Sequence, residues 1–253
     1  LSKKQDNIND FKDAFIPVML PVLIVCGLIL PANFSTAAVL FTTSLVIMFI
    51  GRISLKYIGG LIAVAIVGFA LLLGLAKLVG YEGRISTWSA RIERFAKGDS
   101  EENYQVEQAK IAVATGGLLG KGPGNSTQRN FLPHPYSDFI FAIIVEEYGL
   151  MGGVIVVFLY LMLFYRAIMI VNRTGRAFAA LVTIGSAFSL VFQALINMAV
   201  AVSLFPVTGQ PLPMLSMGGT SIWFTSFALG VILSVSGEPE FQKNTKEPDL
   251  AIA

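Results

Sequence analysis

One cysteine, one histidine and few charges are all that this 253-residue sequence offers of the usual ligand and ion-pair chemistry. Cys26 by itself excludes an intrachain disulfide framework and any multi-cysteine metal site. His134, the single histidine, excludes a multi-histidine site within the chain. Charged residues make up 13% of the sequence, against about 25% in an average soluble domain. No basic block stands out and the net charge is +2, so nothing points to nucleic acid. What is abundant is apolar: 55% hydrophobic residues and a mean hydropathy of +0.71. That balance excludes disorder and an ordinary soluble domain, and it reads as an integral membrane protein. The opening LSKKQDNINDFKDAF has no start methionine, and no cleavage site follows the first apolar run. It reads as the interior of a longer protein.

A membrane-spanning helix needs about 20 mostly apolar residues. Six stretches qualify, at roughly 14–31, 35–51, 57–80, 138–165, 177–204 and 218–236. Lipid supplies no hydrogen-bond partners, so each is expected to be helical. The alternating pattern of a membrane barrel is absent from the sequence. Lys3, Lys4 and Lys12, then Arg52 and Lys56, then Arg166, Arg173 and Arg176, and finally Lys243 and Lys246 mark one side of the membrane. The short connections near 31–36 and 205–217 have no Lys or Arg. The positive-inside rule therefore puts both ends in the cytoplasm. The expected fold class is an all-α integral membrane protein, a multi-span helical bundle forming one membrane domain over 1–253. Residues 81–137 form one long extracellular loop containing short helices, and 237–253 a cytoplasmic tail. Within the loop, Ile111 to Leu119 is too short to span, and suits a helix packed at the membrane surface or dipping into it.

Carboxylates near an apolar span are informative, because an Asp at the bilayer centre costs about 2.5–3.5 kcal/mol. Asp138 follows FLPHPYS, in which Pro133 and Pro135 hold the chain extended before the helix starts. It would stand at the outer face near a helix N-terminus, where an N-cap or first-turn acid is also favoured. Ser137 can cap instead, which leaves the Asp138 carboxylate free. Glu146 and Glu147 would lie about 12–14 Å deeper along a continuous helix, as a structural pair bonded to backbone or to an arginine.

TGGLLGKGPGNSTQ, residues 115–128, is no Walker loop, because Lys121 precedes Gly122 rather than Ser or Thr. Its backbone N–H groups and Lys121 can still cradle a phosphate, and a plain exterior turn fits the composition equally well. FPVTGQPLPMLSMGGTS, residues 205–221, has too many Pro and Gly for a regular helix. Broken backbone beside a span is tolerated when buried in protein or lining a cavity, so this reads as a structured outer re-entry. A simple connection is the alternative. Gln193 and Asn197, at i and i+4, share a helix face and suit interhelical hydrogen bonds. His134 reads as a surface residue, and Cys26 as a packing or lipid-facing one.

Three runs carry a resemblance. They are GGLLGKGPGNSTQ, then FLPHPYSDFIFAIIVEEYGLMGG, then FQALINMAVAVSLFPVTGQPLPMLSMGGTS. Together they resemble the SEDS family of cell-wall polymerases, its division branch more than its elongation branch. Tyr104, Gln105 and Gln108 are similar to a loop element of the family. The resemblance covers nearly the whole chain and implies the C-terminal portion of a ten-span fold, with about four spans preceding it. It also implies peptidoglycan glycosyltransfer from lipid II at the outer face of the bacterial cytoplasmic membrane, in cell division and cell shape.

The family's essential aspartate falls on Asp138, which would act as base on the acceptor hydroxyl while undecaprenyl diphosphate leaves with inversion. Substrate-binding candidates are Lys121, Gln128, Gln105, Pro206, Gly209, Ser216, Gly218 and Gly219. The leaving diphosphate would be neutralised by Lys121, by loop arginines such as Arg84 or Arg91, or by a divalent cation, Mg or Mn. The implied partners are lipid II, a class B penicillin-binding protein transpeptidase, other division membrane proteins and membrane lipid, at the division septum. The chain departs from the family pattern at His134, Tyr136, Asn33, Ser35 and Thr208. A lipid II transporter and a non-catalytic scaffold are the competing readings. A transporter would use Glu146, Glu147, Gln193 and Asn197 at the membrane midplane. A central cavity is expected to open outward beside Asp138.

Overall fold

A computed structural model describes residues 1–5, 8, 10–79 and 101–237 of the chain. Arg84, Arg91, Lys243 and Lys246 lie outside the described residues, as do the first part of the 81–137 loop and the tail from 238 onward. Among the described residues there are seven α-helices and no strand. They are α1 (Ile16–Ile29), α2 (Phe34–Ile50), α3 (Leu55–Val79), α4 (Glu101–Gly116), α5 (Ile140–Arg173), α6 (Ala177–Ala201) and α7 (Gly219–Ser236).

Local chemistry sets the starts. The Asp10 carboxylate accepts the N–H groups of Lys12 at 2.9 Å and Asp13 at 3.4 Å, opening a π-turn over Phe11–Phe15 that feeds α1. Pro17 sits in the first turn of α1, where its missing N–H costs nothing. Asn33 Oδ1 accepts the Thr36 N–H at 3.2 Å and caps α2. The 25 residues of α3 extend about 38 Å, more than a bilayer core of about 30 Å. The 17 residues of α2 make the short span that the sequence indicates.

Five helical stretches are long and apolar enough to cross a membrane, with α2 a sixth, shorter apolar helix. Their outer faces are themselves apolar: Val64, Ile66 and Leu71 on α3, and Trp223, Phe227 and Leu233 on α7, are exposed. A water-soluble protein rarely shows such a surface; hydrocarbon favours it. The protein is an integral membrane protein.

Helix α6 is the centre of the bundle. Of its span, 44% is buried, against 11–17% for the other four long spans. Small residues at Ala179, Gly185, Ala187, Ala194 and Ala201 let neighbouring helices approach it closely. At Gly185 a β-carbon would stand 2.7 Å from the Ile47 side chain, so α2 crosses α6 there. The largest core cluster joins α4 (Ala109, Ala112), α5 (Phe141, Ala142, Val145), α6 (Val191, Ala194, Met198) and Leu212. The apolar part of the 81–137 loop thus folds as α4 against α5, inside that core.

The fourth span differs from the expected 138–165. Helix α5 runs 34 residues to Arg173, and Arg166 lies inside it rather than in a connection. It breaks at Gly149, whose φ of 70° and ψ of −173° are open to glycine alone. The crossing arm is therefore 150–173, and 140–148 is a separate short arm ahead of it. Glu146 and Glu147 sit at the entrance of the crossing arm, not within it.

Candidate active site

The FLPHPYSD segment presents Asp138. His134 has φ 57°, held there between Pro133 and Pro135, and its carbonyl accepts the N–H groups of Ser137 at 3.1 Å and Asp138 at 3.3 Å. This tight turn leaves Asp138 half-buried, two residues before α5 begins at Ile140. No side chain caps that helix, so neither Ser137 nor Asp138 is the cap envisaged from sequence. Ser137 instead donates its hydroxyl to Asp138 Oδ1 at 3.0 Å. The second oxygen, Oδ2, faces Gly209, where a β-carbon would stand 3.8 Å away.

Gly209 belongs to the irregular segment between α6 and α7. Its prolines donate no N–H, and its buried carbonyls need donors from elsewhere. Three side chains supply them. Asn197 Nδ2 donates to Gln210 O at 2.7 Å, Gln193 Nε2 donates to Pro211 O at 3.0 Å, and the Tyr160 hydroxyl donates to Pro213 O. Gln210 Nε2 in turn donates to Thr36 Oγ1 of α2 at 2.8 Å. Leu212, Pro213 and Ser216 are buried. The segment is a structured re-entry, as its broken backbone requires.

Three further bonds join this segment to the Asp138 turn. Asn197 Nδ2 also donates to Asp138 O at 2.9 Å. The Ser216 hydroxyl donates to Ser137 O at 2.5 Å and accepts the Leu212 N–H at 2.7 Å. Met217 N donates to Tyr136 O at 2.8 Å. Of the candidates, Gly209 and Ser216 are brought to Asp138. Gly218 precedes α7 as its N-cap and Gly219 is that helix's first residue, with open space around it. Pro206 is half-buried at the start of the re-entry. Gln105 lies half-buried on α4.

Lys121 and Gln128 gather elsewhere, at the far end of the short arm. Glu146, fully buried, accepts from Lys121 Nζ at 2.5 Å, Ser126 Oγ at 2.5 Å, Thr127 Oγ1 at 2.8 Å, and the N–H groups of Thr127 and Gln128 at 3.2 Å each. The Lys121 charge is thus neutralised where it sits. The partner of Glu146 is a lysine from the glycine-rich loop, not an arginine of the bundle. That loop also takes over the backbone groups freed by the break at Gly149. Lys121 N and Gly122 N donate to the carbonyls of Glu146 and Glu147, while Leu150 N and Met151 N donate to those of Gly117 and Leu118.

A cavity of about 1130 Å³ lies between α1, α2, α6 and α7 and is lined by Thr36, Ser189, Gln193, Gln210 and Phe224 among others. Gln210 reaches it and Gly209 faces Asp138, but Asp138 itself is not in the lining. The cavity therefore ends on the re-entry rather than opening beside the aspartate. Among the described residues no three His, Cys, Asp or Glu converge on a metal-holding cluster. A Mg or Mn ion at Asp138 would need its further oxygen ligands from water or a bound molecule.

The model of the FtsW/RodA/SpoVE family, described as a cell cycle protein family, matches residues 1–240. The chain belongs to the FtsW/RodA/SpoVE family. The SEDS resemblance of its motifs is borne out. Stage V sporulation protein E of Bacillus subtilis is 34% identical over 93% of this chain and 63% of its own length. The "Probable peptidoglycan glycosyltransferase FtsW" of Coxiella burnetii is 33% identical over 95% of this chain and 64% of its own. Among solved structures, one described as "Structural coordination of polymerization and crosslinking by a peptidoglycan synthase complex" aligns with a TM-score of 0.66 and 27% identity. It covers 87% of this chain and 60% of that one. The rod shape determining protein RodA of Thermus thermophilus shares the fold, with a TM-score of 0.59 and 23% identity over 93% of this chain and 60% of its own. The chain spans less than two thirds of the length of these FtsW/RodA/SpoVE relatives.

Asn197, Gln193, Tyr160 and Gly149 are the site residues that sequence reasoning missed or read only as packing. A usable signal existed for two of them. Paired amides at i and i+4, followed by a proline-rich segment short of N–H groups, match donors to carbonyls.

Proposed function

We propose that this chain carries the active centre of a peptidoglycan glycosyltransferase that polymerises lipid II. The observation that carries the reading is the Asp138 carboxylate, half-buried at the mouth of a rigid re-entry with one oxygen bound by Ser137 and the other facing Gly209. A hydroxyl nucleophile needs a base within hydrogen-bond reach. Asp138 takes the proton of the acceptor sugar's 4-hydroxyl as that oxygen bonds to the anomeric carbon of the donor. The bond to undecaprenyl diphosphate breaks on the opposite face, so configuration inverts. Diphosphate is already a good leaving group, and no second protein acid is needed. The names of the FtsW relatives support the activity.

The orientation follows from the lysines and arginines. Both ends of the chain lie in the cytoplasm, and Asp138 and the 101–137 part of the loop lie outside the cytoplasmic membrane. A class B penicillin-binding protein is the partner, supported by the synthase-complex neighbour. The division septum is the place, supported by the relatives named FtsW. The transporter reading has less support. Both Glu146 oxygens and both hydrogens of the Asn197 amide, polar groups it would use, are bonded to protein atoms.

The test is lipid II polymerisation by the full-length protein with its transpeptidase partner, whose own crosslinking is blocked. Wild type should make glycan, and a folded, partner-bound Asp138→Asn should make none. Equal glycan from both removes Asp138 as the base. None from either moves the weight to a transporter or scaffold.

A further inference from the structure

We infer that Asn197 is a positioning residue that sets Asp138 for proton abstraction, an inference that rests on the polymerase reading above. Asn197 is 1% exposed and projects from α6, the most buried helix of the bundle. Its Nδ2 lies 2.9 Å from Asp138 O and 2.7 Å from Gln210 O. Both partners are carbonyl oxygens and can only accept. The amide must therefore present its nitrogen to them, and both of its hydrogens are used.

One side chain thus holds the two walls of the site. Asp138 stands on one wall. Gln210 is next to Gly209, which faces Asp138 Oδ2, on the other. The remaining links between the walls, Ser216 to Ser137 and Met217 to Tyr136, join one irregular segment to another. Asn197 alone among these links comes from a membrane-crossing helix, so it refers both walls to the rigid frame. It does not touch the carboxylate. It acts through the peptide that carries Asp138, and losing it frees that peptide to shift. A displacement of about 1 Å can cost about 100-fold in rate.

The experiment uses the full-length protein with its transpeptidase partner and measures kcat and KM for lipid II. Asn197→Ala should lower kcat by about 100-fold with KM within about twofold of wild type. Thr183→Val is the control. Thr183 is also fully buried on α6, its Oγ1 has no hydrogen-bond partner among the described residues, and kcat should hold. Wild-type kcat in Asn197→Ala, with Asp138→Asn inactive, overturns the positioning role and leaves the polymerase reading standing. So does an equal fall in kcat for Thr183→Val, because a general loosening of α6 would then explain both. No glycan from wild type removes both readings together. If Asn197→Ala does not fold, Asn197→Leu keeps the side-chain volume and removes both N–H donors. It should lower kcat with KM held, and unchanged kcat there overturns the inference.

Discussion

Lys121 Nζ lies 2.5 Å from Glu146 Oε1, and the glutamate is fully buried while the lysine is partly open to the surface. Removing one partner of a buried pair leaves an uncompensated charge and costs about 3–5 kcal/mol. Lys121→Met should therefore lower the thermal midpoint of the detergent-solubilised protein clearly. The double variant Lys121→Met with Glu146→Leu should recover part of the loss, since it leaves no buried charge. A single variant as stable as wild type would show that the remaining donors, Ser126, Thr127 and Gln128, satisfy Glu146 without the lysine.

The break at Gly149 gives a sharper expectation. A β-carbon there would lie 2.3 Å from Leu118 O, and φ 70° disfavours any other residue. Gly149→Ala should destabilise by more than about 2 kcal/mol, from strain and lost interlocking. Gly27→Ala is the contrast, because nothing lies within 4 Å of its β-carbon and α1 is regular there. It should be neutral or stabilise by up to about 1 kcal/mol. Protease resistance of both in the same membranes compares them directly.

Ser137 supports the Asp138 carboxylate through a single O–H at 3.0 Å. A hydrogen bond to a charged group contributes about 1.5–3 kcal/mol. On the polymerase reading, Ser137→Ala should slow lipid II polymerisation by about tenfold or more. Folding should be unchanged, since the Ser137 carbonyl that accepts from Ser216 remains. An unchanged rate would place Asp138 in its working position without the serine.

Tyr160→Phe removes the donor to Pro213 O and leaves that buried carbonyl unpaired. The cost should be about 1–3 kcal/mol, read as a lower thermal midpoint. Tyr160→Phe changes neither Asp138 nor a link to it, so the kcat of the folded protein should fall less than in Ser137→Ala.

Much of the architecture was legible because membrane crossing is a local property. Five long apolar helices and one shorter helix match the six stretches read by length and hydropathy, with ends shifted by a few residues. The exception was the fourth. An apolar run on both sides of Gly149 concealed the break, because a glycine's φ leaves no trace in hydropathy. The structured re-entry was legible for the opposite reason: Pro and Gly at 206, 209, 211 and 213 stand too close together for a regular helix across 205–217.

The sequence by itself determined the membrane class, the spans, the irregular 205–217 segment and the place of Asp138 at the start of the fourth span. Each of these depends on residues close together in the chain. Only the tertiary structure decided the partners. Asn197 reaches Asp138 across 59 residues, Lys121 reaches Glu146 across 25, and Ser216 reaches Ser137 across 79. An amide, an ammonium or a hydroxyl in the sequence announces a donor and no more. Which buried acceptor it satisfies is set by the packing of α4, α5 and α6, because a buried acceptor left unpaired is costly.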